Sequence, residues 1–309
     1  LAACASTQPA AEPAASSDAP AESGKTYTVG VCQLVQHEAL DAATQGFVDA
    51  LKEALGDAVP IDVQNASGTI VNGFVAKGVD LIMANATPAL TAAVSATADI
   101  PILGTSITAY GVALDIDDFN GTVGGNVSGT SDLADLQKQA QMILDWFPET
   151  KTVGLLFCSA EPNSRYQIDE VRKALEAQGV TCEEFAFTDS NDVSSVTQKA
   201  ADFSDVVYIP TDNTAASNTE AIANVLIPAG VPAICGEEGL CRGCGVATLS
   251  ISYYDLGVTT GKMAAKILKG EADISTMPVE YTDATPKYNA SVCEQLGITP
   301  LDGYEAIDG

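Results

Sequence analysis

Six short stretches of this 309-residue chain carry side chains able to hold a small charged molecule. The richest is 206–213, VVYIPTDN. Val206 to Ile209 read as a strand buried on both faces, Pro210 ends it, and Thr211, Asp212 and Asn213 follow at its carboxyl end. In open α/β sheets that end is where ligands bind. An aspartate there can pair with a cation, and an asparagine both donates and accepts. The alternative is an Asx N-cap for the helix expected over 214–226. Thr87-Pro88 follows a strand-like run, with Thr87 as N-cap and Pro88 at the first helical position. Such a helix start presents free N–H groups and a positive dipole end. Asn163-Ser164 opens another helix in the same way. Glu237 and Glu238 follow the run 231–235 and set acids beside the strand of Asp212. Tyr253-Tyr254 offers aromatic faces, and His37 starts the helix after the first strand. Each of these alone reads as a cap, turn or helix start. Together they surround one cleft with N–H groups, carboxylates and aromatic faces, the complement of a zwitterion with an apolar side chain.

Catalytic signatures are missing. No Gly-rich phosphate loop, GxSxG elbow or HExxH occurs. A Ser/His/Asp site would rest wholly on His37, the only histidine. Cys241-Arg242-Gly243-Cys244 is a CxxC without the second pair or the histidines of a zinc site, and it suits a loop disulfide. Trp146-Phe147-Pro148 ends a helix and reads as core. The chain is expected to be no enzyme, and to need no metal or cofactor.

Composition bounds the partners. Lys and Arg total 14 against 41 Asp and Glu, a net charge of −27, which repels phosphate backbones and argues against nucleic acid. Apolar residues make up 46%, yet no run approaches the roughly 18 needed to span a bilayer. Leu1-Ala2-Ala3-Cys4 has the small-residue pattern at the end of a bacterial lipoprotein signal peptide, with Cys4 as the lipidation site. Residues 5–25 are Ala, Pro, Ser and Glu without periodicity, a tether of about 25 Å treated as flexible coil. Of the eight cysteines, Cys4 is thereby assigned; the odd remainder argues against a complete disulfide framework.

The elements that must position these groups alternate. A strand at 27–34, a helix at 37–55, and further strands and helices to 105 form β-α-β-α-β-α-β, which implies a parallel sheet. A Gly-rich passage, 120–129, leads to a helix at 133–147, and the alternation restarts from 152 to 235. A strand at 245–251 and a helix at 256–269 follow, and the segment from Met277 reads as irregular. The fold class is α/β, with residues 1–26 as lipobox remnant and tether. Residues 27–127 with 250–280 form an N-terminal lobe, and 128–249 with 281–305 a C-terminal lobe. Hinges are expected near Gly124–Gly129 and Ser250–Tyr253.

Several of these motifs, in order, resemble those of the ABC-transporter substrate-binding lipoproteins of the tryptophan/tyrosine type. They are His37-Glu38-Ala39-Leu40-Asp41, Asn65-Ala66, Ala86-Thr87-Pro88-Ala89, Gly125 to Asp132 (GNVSGTSD), Glu161-Pro162-Asn163-Ser164, Pro210 to Thr214, and Tyr253-Tyr254-Asp255-Leu256-Gly257. The resemblance covers residues 27 to about 300. It implies a type I periplasmic-binding fold, two Rossmann-like lobes with parallel sheets, hinge crossings and a ligand enclosed between them. It also implies an amino acid as cargo, an aromatic one favoured, and adds Ser131 to the residues beside the cleft. The ABC permease subunits would be partners, with the membrane met only through the lipid anchor, at a bacterial cell surface or on the periplasmic side. The protein itself is expected to be a monomer. The chain departs from the family pattern at Cys158, where an asparagine often stands, and in its CxxC. Two other functions stay open: a ligand-sensing receptor module of the same fold, and an extracellular thiol enzyme needing an exposed, low-pKa cysteine in the cleft.

Overall fold

The computed structural model describes residues 26–57, 59–65 and 68–307. Cys4, the expected tether and Ala66 lie outside the described residues.

The first half alternates β1 (Val29–Gln33), α1 (Glu38–Leu55), β2 (Ile61–Asn65), α2 (Thr69–Lys77), β3 (Leu81–Asn85), α3 (Thr87–Ala96), β4 (Ile102–Ile107), α4 (Tyr110–Ala113) and β5 (Val127–Ser131). The second runs α5 (Leu136–Trp146), β6 (Thr152–Cys158), α6 (Pro162–Glu176), β7 (Thr181–Phe187), α7 (Val193–Phe203), β8 (Val206–Ile209), α8 (Asn213–Ala216), α9 (Thr219–Ala229), β9 (Ala233–Cys235) and α10 (Glu238–Cys244). Then come β10 (Ala247–Ile251), α11 (Tyr253–Leu268), β11 (Glu280–Tyr281), β12 (Ala284–Tyr288), α12 (Ala290–Leu296) and β13 (Glu305–Ala306).

Two sheets result, β2-β1-β3-β4-β5-β11 and β7-β6-β8-β9-β10-β12-β13. The first is parallel throughout, and in the second β12 runs antiparallel to β10. Strands such as Leu81–Asn85 and Val206–Ile209 are buried along their whole length, as apolar runs covered by helices on both faces must be. Each sheet separates two apolar layers. Leu51, Phe47 and Met263 pack on one face of the first and Phe74, Leu90 and Tyr110 on the other. Trp146, Leu155 and Tyr208 pack on one face of the second, and Phe187, Val207 and Leu226 on the other.

Several expectations need correction. The first crossing comes after Ser131, not at 127, because β5 pairs with β4 and stays in the first sheet. The Gly-rich passage is therefore no hinge. A side chain on Gly129 would strike the Gly104 backbone, so that glycine serves close strand approach. The second crossing follows Ile251, inside the expected Ser250–Tyr253, whereas the segment from Met277, expected as irregular, supplies β11 to the first sheet and β12 and β13 to the second, with a third crossing between Tyr281 and Ala284. The helix expected over 214–226 is broken into α8 and α9 around Ser217 and Asn218. Cys241 and Cys244 lie in α10, buried and unbonded, instead of forming a loop disulfide. Close contact of α1 with α11 relies on small residues: a Cβ at Gly257 would meet the Ala43 carbonyl. That packing sets Tyr253, at the start of α11, against the opening of α1, where Ala39 and Ala43 form its partners.

Candidate functional site

The carboxyl ends of both sheets face each other across a cleft, and side chains from both lobes and from two of the crossings line its centre. His37 and Leu40 come from the start of α1, and Ser106 and Thr108 from the end of β4. Asp132 and Tyr253 come from the first and second crossings, and Asn163, Thr211, Asp212, Asn213 and Glu237 from the second lobe. The space between them is narrow, about 10 Å³, enough for roughly one water.

Three acids of the second lobe are built into its frame. Asp212 is the N-cap of α8, and its Oδ1 accepts from Ala215 N at 2.8 Å. Its Oδ2 accepts from Cys158 N and from Ser164 Oγ, both at 2.7 Å, tying together the end of β6 and the start of α6. Burial, then the charge of Glu161, push the Asp212 carboxyl upward, while these donors hold it down. Glu161 precedes α6 but serves α8. One oxygen accepts from Asn213 N and Nδ2 at 3.0 and 2.7 Å, the other from Thr214 N and Oγ1 at 2.9 and 2.8 Å. Glu237 caps α10, accepting from Gly239 N at 2.6 Å and from Leu240 N. Burial raises its pKa to about 7 against those two N–H donors.

Other groups are left half-satisfied. Buried side-chain atoms without a hydrogen-bond partner include His37 Nδ1, Ser106 Oγ, Asp132 Oδ1 and Asn163 Oδ1, and all four residues line the cleft. Asp132 is 5% exposed, with Oδ2 accepting from Tyr253 Oη at 2.8 Å. Burial raises its pKa, partly offset by the Tyr253 and Thr108 hydroxyls. Asn163 spends its amide on Glu161 Oε2 at 3.2 Å and Thr211 O at 3.1 Å, which leaves its carbonyl toward the cavity. His37 faces Asn213 Oδ1 at 3.1 Å through Nε2. Because Asn213 Nδ2 donates to Glu161, Oδ1 is the acceptor and His37 donates from Nε2, so Nδ1 carries a lone pair. Burial lowers the His37 pKa, which keeps the ring neutral. Ser106 has φ +56° and Ala86, before α3, has φ +94°. Two non-glycine residues in that region at neighbouring strand ends mark stored strain, which clusters at ligand sites.

The remaining expected residues lie elsewhere. Thr87 is buried inside α3 rather than capping it, and is not among the residues lining the centre of the cleft. Ser164 and Ser131 are committed, Ser164 to Asp212 and Ser131 to the Thr108 carbonyl at 3.0 Å. Pro88 borders an adjoining recess of about 330 Å³ with Leu34, Val35, Cys158 and Ala160. Glu238 sits outward in ion pairs with Arg242 and Lys287. Tyr254 is exposed and donates to Asp49. The CxxC thiols are wholly buried, and burial raises that of Cys241, the opposite of an activated dithiol. Sequence reasoning passed over Ser106, Thr108, Asp132 and Glu161. Asp132 and Glu161 stood inside recognised motifs, but nothing local distinguishes a brace from a free acceptor.

Comparison with known proteins bears on the family and the fold. The family described as ABC transporter substrate binding protein matches residues 28–303. A tyrosine-binding protein of Clostridioides difficile is 32% identical over 276 residues, 85% of this chain and 79% of that one. The structure of the ABC domain in complex with L-Trp from Streptococcus pneumoniae superposes with a TM-score of 0.86 at 32% identity, covering 92% of this chain and 100% of that one. A ligand-free, open substrate-binding protein from Clostridium difficile with adhesive properties gives 0.69 at 33% identity, over 92% and 99%. Two α/β lobes of periplasmic-binding type I architecture, a polar cleft between them and a family match over nearly the whole folded part converge: the chain belongs to the ABC transporter substrate-binding proteins.

Proposed function

We propose that the protein binds an aromatic L-amino acid in the cleft between its lobes and delivers it to an ABC permease. Family membership makes it a binding protein, not an enzyme, and an extracytoplasmic one. The observation that carries the ligand reading is the convergence of His37 Nδ1, Ser106 Oγ, Asp132 Oδ1 and Asn163 Oδ1 on one cavity. A buried polar atom without a partner costs about 1–3 kcal/mol, so four in one place favour a polar guest. A ligand ammonium donates three hydrogen bonds, and Asp132 Oδ1, Asn163 Oδ1 and His37 Nδ1 are acceptors. The ligand carboxylate is then left to Ser106 Oγ. Asp132 thereby takes the role first expected of Asp212, whose two oxygens already serve the frame. The adjoining recess offers an aromatic ring an apolar edge of Pro88, Leu34, Val35 and Cys158, with Glu161, Asp189 and Asn213 on its polar side. The aromatic preference rests on the relatives that bind tyrosine and L-Trp. Since the cavity holds roughly one water, entry requires the lobes to part about the crossings after Ser131, after Ile251 and between Tyr281 and Ala284.

Cys4 is proposed as the lipid anchor that holds a monomer at the outer face of the membrane. Its test is expression of the full precursor with Cys4→Ser, which should release the protein from membranes. For the ligand, a thermal-shift screen of the amino acids should single out tyrosine, tryptophan or phenylalanine. A ligand at 100 times its Kd adds about 2.7 kcal/mol to stability. A screen in which no amino acid raises the unfolding midpoint contradicts the proposal.

A further inference from the structure

The charge and hydrogen-bonding capacity around the cavity are lopsided. Asp132, Asp212 and Glu237 line it, and no Lys or Arg does so among the described residues. The nearest guanidinium, Arg242, is taken up by Glu38 at 3.1 Å and Glu238 at 2.7 Å on the outer side. The donors that could have met a carboxylate are committed: Ser164 Oγ to Asp212, the Asn163 amide to Glu161 and Thr211. Thr87 and the start of α3 are not part of the lining. Among the buried side-chain atoms of the lining, what stays open is three acceptors, His37 Nδ1, Asp132 Oδ1 and Asn163 Oδ1, and a single hydroxyl that can act either way, Ser106 Oγ. Asp132 and Asn163 are each 5% exposed and Ser106 6%, so these are not atoms that water would satisfy at the surface.

From this inventory we infer that the cavity accepts primary arylalkylamines, the decarboxylated counterparts of aromatic amino acids, as cargo in their own right. A primary ammonium matches the three acceptors donor for donor. It also brings the positive charge that a wall of buried carboxylates lacks. Among the lining side chains, a carboxylate on the same ligand finds the Ser106 hydroxyl and no Lys or Arg. Recognition therefore concentrates on the nitrogen and the aromatic ring, and losing the carboxylate forfeits little. This inference rests on the reading of the cleft as the ligand site.

The test is calorimetry on the folded protein with three matched ligand classes. These are L-tyrosine and L-tryptophan, then tyramine and tryptamine, then 3-(4-hydroxyphenyl)propionate and indole-3-propionate. The expected result is that at least one amine binds within tenfold of its parent amino acid, while both amine-free acids bind at least a hundredfold more weakly than the amine. If an amino acid binds and both amines are more than tenfold weaker, the carboxylate is recognised and the inference is overturned, with the amino-acid reading left standing. Amine-free acids that bind as tightly as the amines overturn it too. If none of the three classes binds, the reading of the site falls with it.

Discussion

Asp212, Glu161 and Glu237, on the second-lobe wall of the cleft, each accept hydrogen bonds from the protein on both carboxylate oxygens. Asp132, at the crossing between the lobes, is equally buried but has one oxygen bonded to Tyr253 and one with no partner. All four are carboxylates held near helix starts in one desolvated space, yet they do different work. The first three convert charge into scaffold, pinning β6, α6, α8 and α10 so that the wall keeps its shape. The fourth keeps an acceptor in reserve for something that arrives. On the proposed reading, the acid that contacts a ligand is the one the fold has left incomplete, not the one most prominently placed at a strand end.

That comparison breaks most visibly at Asp212. Asp212→Ala leaves Ala215 N, Cys158 N and Ser164 Oγ without their acceptor inside the wall, at about 1 kcal/mol or more each. Denaturant unfolding of the ligand-free protein should show a loss of about 3 kcal/mol. A variant as stable as the parent would remove Asp212 from the frame. The reciprocal substitution, Asp132→Asn, keeps a partner for Tyr253 and withdraws the charge offered to a ligand. Calorimetry should give an affinity for the best amino acid at least a hundredfold lower, because a buried charge partner is lost. The unfolding midpoint without ligand should hold or rise, and a large drop in stability would place Asp132 among the braces instead.

Acidity sharpens the same contrast. The Glu237 carboxyl is raised from 4.5 to about 7 in the folded protein. Between those values the folded chain holds a proton that the unfolded chain has released. Ligand-free stability should therefore be greatest, for this group, below pH 4.5 and decline as pH rises toward 7. The slope should be no steeper than about 1.4 kcal/mol per pH unit for this group. Glu237→Gln should flatten the decline; an unchanged pH profile in that variant would show that the carboxyl does not titrate there. The smallest effect is expected far from the cleft. Trp146 packs edge-on against Tyr304 in the core of the second lobe, and Trp146→Phe should leave ligand affinity within about twofold.

Much of the scaffold could be read from the chain. Alternating apolar runs such as Leu81–Asn85 and Val206–Ile209 announce buried parallel strands, and their order announces two lobes. The crossings were harder, since Gly124, Gly125 and Gly129 look like flexible linker and instead serve a turn and a close strand contact. Glycine signals unusual backbone without saying why it is needed. Six of the residues expected around a cleft, His37, Asn163, Asp212, Asn213, Glu237 and Tyr253, do line one cavity. Roles within it were not legible. Whether Asn163 presents its amide or its carbonyl depends on Glu161 and Thr211, and whether Ser106 turns inward depends on a positive φ that no local pattern requires.

The most direct measurement is the structure of the protein with its tightest-binding aromatic amino acid. The account predicts the ligand nitrogen at about 3 Å from Asp132 Oδ1 and Asn163 Oδ1, with Asp212 still bonded to Ser164, Cys158 and Ala215. A ligand whose nitrogen pairs with Asp212, or whose carboxylate lies against Asp132, would contradict it.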